Sequence, residues 1–217
     1  MRRTQTAKIF VLSPAHCGGV RARQLLGDRA RFPLAQQIRQ SRGAPLGDVF
    51  SFVSGLYFRG KIAYARAFAA SPADVLVITP STGLVRSDRR VRVDDVERFA
   101  STTIALDEPD YTGPLARDGT RLERRMHAAA QVVLLGSLAT EKYISILGPI
   151  LGERLCAPTA LLGLGDKSRG ALLLRAAEER RELEYQPVSQ LLQNHRRTRT
   201  ETDEDPRSCN SSVVPRS

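Results

Sequence analysis

Apolar residues gather in short unbroken runs, and each run ends in a small loop rich in hydroxyl side chains or glycine before an amphipathic segment begins. The first run is Ile9-Phe10-Val11-Leu12, followed by Ser13-Pro14-Ala15-His16-Cys17-Gly18-Gly19 and a helical pattern over 20–26. Val75-Leu76-Val77-Ile78 leads into Thr79-Pro80-Ser81-Thr82-Gly83, and Val132-Val133-Leu134-Leu135 into Gly136-Ser137-Leu138-Ala139-Thr140. A fourth run over 155–162 leads into Gly163-Leu164-Gly165-Asp166-Lys167-Ser168-Arg169-Gly170. Runs this short, apolar without alternation and bounded by turn residues, read as strands buried on both faces.

Helical spacing predicts further helices over 33–40, 48–70, 91–99, 115–129, 141–151 and 171–182. The longest, 48–70, is apolar on two faces: Val49, Phe52, Val53, Leu56 and Ala63 mark one, and Phe50, Tyr57, Tyr64 and Phe68 the other. A helix apolar over so much of its circumference is expected to be largely buried. Gly55 and Gly60 lie inside it and point to close packing or a kink. Arg59 and Lys61 flank the second glycine, as a solvated face or as an anion contact. Residues 102–106 read as a short strand before Asp107-Glu108-Pro109-Asp110-Tyr111, which is an exposed turn or, with three carboxylates together, a cation or general-base site.

Strand-like runs alternating with helical patterns predict an α/β fold, a three-layer domain with a mainly parallel sheet of four or five strands and right-handed connections. Residues 1–192 form this single domain. From 193 to 217 periodicity is lost and basic and acidic runs follow one another, which reads as a disordered polar tail.

In a parallel sheet, loops at the carboxyl ends of the strands meet, so 13–19, 79–83, 136–140 and 163–170 are expected to converge on one ligand. Their candidate ligand-binding residues are Ser13, Gly18, Gly19, Thr79, Ser81, Thr82, Gly136, Ser137, Thr140, Gly165, Asp166, Lys167, Ser168 and Arg169. The last loop is neither G-x-x-x-x-G-K-[ST] nor G-x-G-x-x-G. Glycines at a helix start still leave N–H groups and the positive dipole end facing a phosphate; a plain turn with Asp166 or Ser168 as N-cap is the alternative. For catalysis the candidates are His16 as general acid or base and Cys17 as nucleophile, its thiolate favoured by the helix that follows.

Composition alters this picture in two places. The net charge is +10, and residues 1–45 hold nine basic side chains against one acidic, Asp28. Such an excess suits phosphate-rich partners, nucleic acid above all. Only four of the 33 basic residues are lysine, so arginine bias in the composition is the competing explanation. Cysteines 17, 156 and 209 are odd in number and widely spaced, which indicates neither a disulfide framework nor a zinc site, and no metal is expected. No signal-peptide core and no run of about 20 apolar residues is present, so a cytoplasmic location is expected and no membrane partner.

The blocks SPAHCGG (13–19), SGLYFRGKIAYARAFA (54–69), TPSTGL (79–84), LLGSLATEKY (134–143) and GLGDKSRG (163–170) resemble those of an uncharacterised bacterial α/β protein family, over about residues 8–188. More remotely, the order of strands and loops is similar to the uracil-DNA-glycosylase-like group of α/β folds, which would imply a base or nucleoside ligand. Those glycosylases carry a water-activating Asp in a G-Q-D-P-Y block, where this chain has Ser13-Pro14-Ala15-His16-Cys17. The function expected is binding of a nucleotide-like or other phosphate-bearing ligand, with its hydrolysis or transfer. The alternative is a non-catalytic, basic, nucleic-acid-associated regulatory protein. No cofactor is identified by the sequence.

Overall fold

The computed structural model describes residues 7–139 and 141–194. In chain order the elements are β1 (Lys8–Leu12), α1 (Val20–Leu26), α2 (Pro33–Arg39), β2 (Ala44–Pro45), α3 (Leu46–Ser54), α4 (Leu56–Phe68), β3 (Val75–Thr79), β4 (Gly83–Arg86), β5 (Arg90–Val91), α5 (Val93–Ser101), α6 (Pro109–Arg125), β6 (Gln131–Leu135), α7 (Glu141–Leu151), β7 (Leu155–Pro158), α8 (Asp166–Glu178) and β8 (Tyr185–Pro187). The predicted tail falls almost wholly outside the described residues, as do Thr140 and Cys209.

Six strands form the central sheet in the order β4-β3-β1-β6-β7-β8, with β2 and β5 paired in a separate two-stranded ribbon. The four predicted apolar runs are its parallel centre, and antiparallel β4 and β8 close the two edges. Central β1 pairs with β6 from Lys8 opposite Gln131 to Leu12 opposite Leu135. It is buried on both faces: Phe10 and Leu12 enter a core shared with α3, α4 and α8, while Val11 enters a second core shared with α6 and α7. That period of two, with apolar partners on each side, is why the run lacks polar positions. The result is the expected three-layer α/β architecture with a mainly parallel sheet.

Chain path places the topological switch point. From β1 the chain moves to β3 on one side, then returns past β1 to β6 and β7 on the other. The connections therefore leave β1 and β6 in opposite directions, and the crevice beyond their carboxyl ends is the topological switch point where open α/β sheets take ligands.

Several local expectations change. The predicted 48–70 helix is two helices, α3 and α4, separated at Gly55, whose φ of +73° lies in the left-handed region that side chains with a Cβ rarely adopt. Residues 102–106 are irregular rather than a strand. The acidic turn after them starts a helix: Pro109 is its first residue, and the Glu108 carboxylate accepts from the Asp110 N–H at 3.3 Å. The run over 155–162 gives a four-residue strand, with Thr159–Leu161 in a single tight turn of helix.

Candidate functional site

Helices α4 and α8 touch through two glycines. A methyl built on Gly60 would stand 2.5 Å from the Gly170 carbonyl oxygen, and one on Gly170 would stand 2.9 Å from Tyr57 Cα. Backbones can approach this closely only without a Cβ at either position. The contact sets Tyr57 and Lys61 of α4 against Asp166 and Arg169 on the first turn of α8.

Lys61 is 1% exposed. Its Nζ donates to the Ser13 carbonyl oxygen at 2.9 Å and lies 2.9 Å from Ser13 Oγ, directly past the end of β1. The rings of Tyr57 and Phe58 flank the amine, with centres 4.6 and 4.8 Å from Nζ. Ring quadrupoles favour the ammonium, but loss of water disfavours it more strongly. Burial pushes Lys61 down to about 7, with Asp166 pulling it the other way. The solvated-face expectation for Lys61 is thus overturned, while its neighbour Arg59 is exposed. A signal was available: Lys61 lies four residues after Tyr57 and three before Tyr64, on an arc otherwise apolar or aromatic.

On the far side of Ser13, Gly136 of the β6–α7 loop has no room for a side chain. A methyl there would meet Tyr143 Oη at 2.8 Å and Ser13 Cβ at 2.9 Å. Tyr143 donates to the Ser137 carbonyl at 2.5 Å, which fixes the loop, and the Ser137 hydroxyl accepts from the Ala139 N–H at 3.3 Å. Above this floor a cavity of about 280 Å³ is walled by Gly136, Leu138, Ala157, Leu161, Leu164 and Arg169, among others. Arg169 is its cation. Its Nε donates to the Leu161 carbonyl at 3.2 Å, its guanidinium carbon is 6.0 Å from the Tyr57 ring centre, and Asp166 pairs with it at 3.4 Å. The Tyr57 hydroxyl is buried with no partner at hydrogen-bonding geometry, and burial raises it above the ordinary phenol range against the pull of Arg169. Gly165 caps α8 without a side-chain hydrogen bond, and Lys167 and Ser168 are exposed on the first turn.

His16, Cys17 and Gly18 line a different hollow of about 310 Å³, together with Pro80, Thr103 and Lys142. His16 and Gly18 are exposed, and Gly19 is the N-cap of α1. Cys17 is buried, its Sγ 3.6 Å from the Ala15 carbonyl oxygen. Burial pushes the thiol up to about 12, opposite in direction to the expected thiolate. The α1 terminus does not offset that loss of water.

The β3–β4 hairpin is the third group. Thr79 Oγ1 donates to the Gly83 carbonyl at 3.0 Å and accepts from the Thr82 N–H at 3.0 Å, so this hydroxyl latches the turn. Thr82 faces a depression shared with Leu84, Arg86 and residues of α6. The Ser81 hydroxyl is buried without a hydrogen-bond partner. All four loops thus sit past the carboxyl ends of parallel strands, but their side chains divide. Ser13, Gly136, Ser137, Asp166 and Arg169 join Lys61, Tyr57 and Tyr143 at the switch point, His16, Cys17 and Gly18 form a neighbouring hollow, and Thr79 and Thr82 serve the hairpin.

Among the described residues no group of three or more His, Cys, Asp or Glu could hold a metal ion, and no helix is long and apolar enough to cross a membrane. No family model, curated protein or solved structure matches the chain.

Proposed function

We propose that the protein binds a nucleotide-like or other phosphate-bearing small molecule at the carboxyl edge of its sheet, with the flat apolar part in the cavity beside Gly136 and the anionic end on Arg169. The observation that carries this reading is one guanidinium in the wall of an otherwise apolar cavity, next to the switch point. Its volume of about 280 Å³ lies near the lower end for small-molecule sites, where a few placed polar groups orient an apolar ligand. The first turn of α8, on which Arg169 stands, adds backbone N–H groups and the positive end of a 13-residue helix. Calorimetric titration with nucleoside monophosphates, the matching nucleosides and inorganic phosphate tests it. A monophosphate should bind more tightly than its nucleoside, and Arg169→Gln should weaken it by roughly 10- to 100-fold, the worth of one charge-assisted hydrogen bond. Equal affinity for nucleoside and monophosphate, or an unchanged Arg169→Gln variant, would remove the reading.

A second reading, a basic nucleic-acid-associated protein, has its own observation. Arg117, Arg121, Arg124 and Arg125 line one depression on α6. Spacings of four, seven and eight residues put them within one face of the helix. The arginines of the first 45 residues favour it less. Arg39 donates to the carbonyls of Ala35, Leu26 and Gly27 at 2.5, 3.1 and 2.7 Å, Arg23 to Gly18 at 3.0 Å and Arg31 to Asp28 at 2.6 Å. These guanidiniums are occupied with local backbone.

A further inference from the structure

The contact between Lys61 and Ser13 has features that holding a ligand does not require. We propose that Ser13 is a nucleophile and Lys61 its general base, a dyad that cleaves a carboxylic ester of the phosphate-bearing ligand class taken by the carboxyl edge. The substrate's anionic end rests on the reading above; the chemistry rests on the dyad's own geometry.

Ser13 Oγ and Lys61 Nζ are 2.9 Å apart. Both are held from several sides. The Ser13 N–H donates to the Leu135 carbonyl at 3.0 Å, extending the β1–β6 ladder by one bond, and its Cβ rests against the bare Cα of Gly136. The Lys61 amine lies between the rings of Tyr57 and Phe58. Ser13 is 7% exposed and Lys61 1%, and Ser13 packs on Gly136, which lines the cavity, so of the pair the serine is the member on the substrate side. This is the division a nucleophile and its base need.

The rings of Tyr57 and Phe58 flank the amine from its own helix, and the charged group acting on it is Asp166 of α8. Burial outweighs Asp166 and lets the amine lose its proton near neutrality. Nζ donates to the Ser13 carbonyl oxygen and to Ser13 Oγ, each at 2.9 Å; once it has lost its proton the amine keeps the carbonyl contact and is placed to accept from the hydroxyl. An ester carbonyl is uncharged until attacked. It suits a cavity whose wall is mainly leucine, alanine, glycine and proline with one arginine better than a centre that already carries several charges.

In the acylation step, Ser13 Oγ bonds to the carbonyl carbon as its proton passes to Lys61 Nζ. The bond from that carbon to the alcohol oxygen breaks, and the departing alkoxide takes the proton from Nζ. Water repeats the sequence on the acyl-serine: its oxygen bonds to the carbonyl carbon as one proton passes to Nζ, the bond from that carbon to Ser13 Oγ breaks, Oγ takes the proton from Nζ, and the free acid leaves. No oxidant, reductant or third reactant is needed.

A fluorophosphonate probe and p-nitrophenyl acetate test the dyad on the full chain, with adducts located by peptide mass mapping. One adduct on Ser13 is expected, at a rate that rises with pH through an inflection near 7 and then levels. Ser13→Ala should abolish it, and Lys61→Arg, which keeps a cation and its donors but cannot serve as base, should slow both labelling and ester turnover at least 100-fold. Lys61→Met should do the same; if it fails to fold, Lys61→Arg and the wild-type pH profile decide. No adduct, an adduct elsewhere, a pH-independent rate or an unimpaired Lys61→Arg would overturn the proposal and leave Lys61 as an anchor of the 13–19 loop. Calorimetry on Ser13→Ala keeps the two readings apart. Monophosphate binding without Ser13 labelling retires the dyad alone, and labelling without monophosphate binding retires the cavity reading alone.

Discussion

Gly60 and Gly170 meet backbone to backbone, with the Gly170 carbonyl oxygen 2.5 Å from where a Gly60 side chain would begin. The oxygen belongs to a helix backbone and cannot swing aside, so Gly60→Ala must push α4 and α8 apart. Overpacking of this kind costs about 1–3 kcal/mol. For a domain of this size that lowers the melting temperature by roughly 2–4 °C for each kcal/mol. It also moves Tyr57 away from Arg169, so monophosphate affinity should fall beyond what lost stability explains. Urea melts paired with calorimetry at a temperature where the variant is folded separate the two effects. An unchanged melt would mean that the helices are not in contact at this point.

Lys61 makes stability depend on pH in a defined direction. Its folded value of about 7 is below its ordinary 10.5, so between those values the unfolded chain holds the extra proton. Stability then rises with pH through that window, and below about 7 the full burden of the buried ammonium is present. The slope is on the order of 1 kcal/mol per pH unit near the middle of the range. Cys17 works in the opposite sense, because its folded value of about 12 is above its ordinary 9.0 and it costs stability from 9 upward. The interval from pH 7 to 9 therefore reports Lys61. Denaturant melts should show stability rising there in the wild type and flat in Lys61→Met; parallel curves would show that the amine is not buried as a base.

Cys17 should resist alkylation. With its thiol at about 12, the thiolate at pH 8 is scarcer than in a free cysteine by roughly three orders of magnitude. Mass mapping after iodoacetamide treatment should find Cys17 unmodified under conditions that fully alkylate a cysteine peptide. Reaction as fast as the peptide would restore Cys17 as a candidate nucleophile.

The sheet was legible because the runs 9–12, 75–78 and 132–135 are apolar without interruption and leave no polar position to confuse the period. The edge strands were not. Gly83-Leu84-Val85-Arg86 and Tyr185-Gln186-Pro187 are half solvated and too short to show a period, and only pairing with β3 and β7 makes them strands. At the site, Gly136 and Arg169 stood out by their place in loops that follow strands. Lys61 did not, because its burial comes from the approach of α8, about a hundred residues later in the chain. Cys17 misled for the same reason: a helix start suggests a thiolate, whereas packing of the loop against the core removes the water a thiolate needs.

The arginines offer a last separation, between charge that holds the fold and charge that faces outward. On α6, Asp118 is held by Arg117 at 3.0 Å and by the Leu84 N–H at 3.1 Å, and Glu123 by Arg154 at 2.5 Å. Among the described residues no carboxylate lies within ion-pair distance of Arg121, Arg124 or Arg125. From Arg117 to Arg125 the helix runs about 12 Å, enough to follow several phosphates of one strand. If this face binds duplex DNA through Arg121, Arg124 and Arg125, affinity should fall with a log–log salt slope of roughly −3. Arg121→Glu with Arg125→Glu should abolish binding and leave stability within about 0.5 kcal/mol of wild type, as for surface changes generally. Arg39→Ala should do the reverse, keeping the salt slope while costing about 1–2 kcal/mol, since it strips donors from the carbonyls that close α1 and α2. Fluorescence anisotropy on a short duplex across a salt series, beside denaturant melts, reads both. A slope carried by Arg39 and indifferent to Arg121 and Arg125 would return the nucleic-acid face to the first 45 residues.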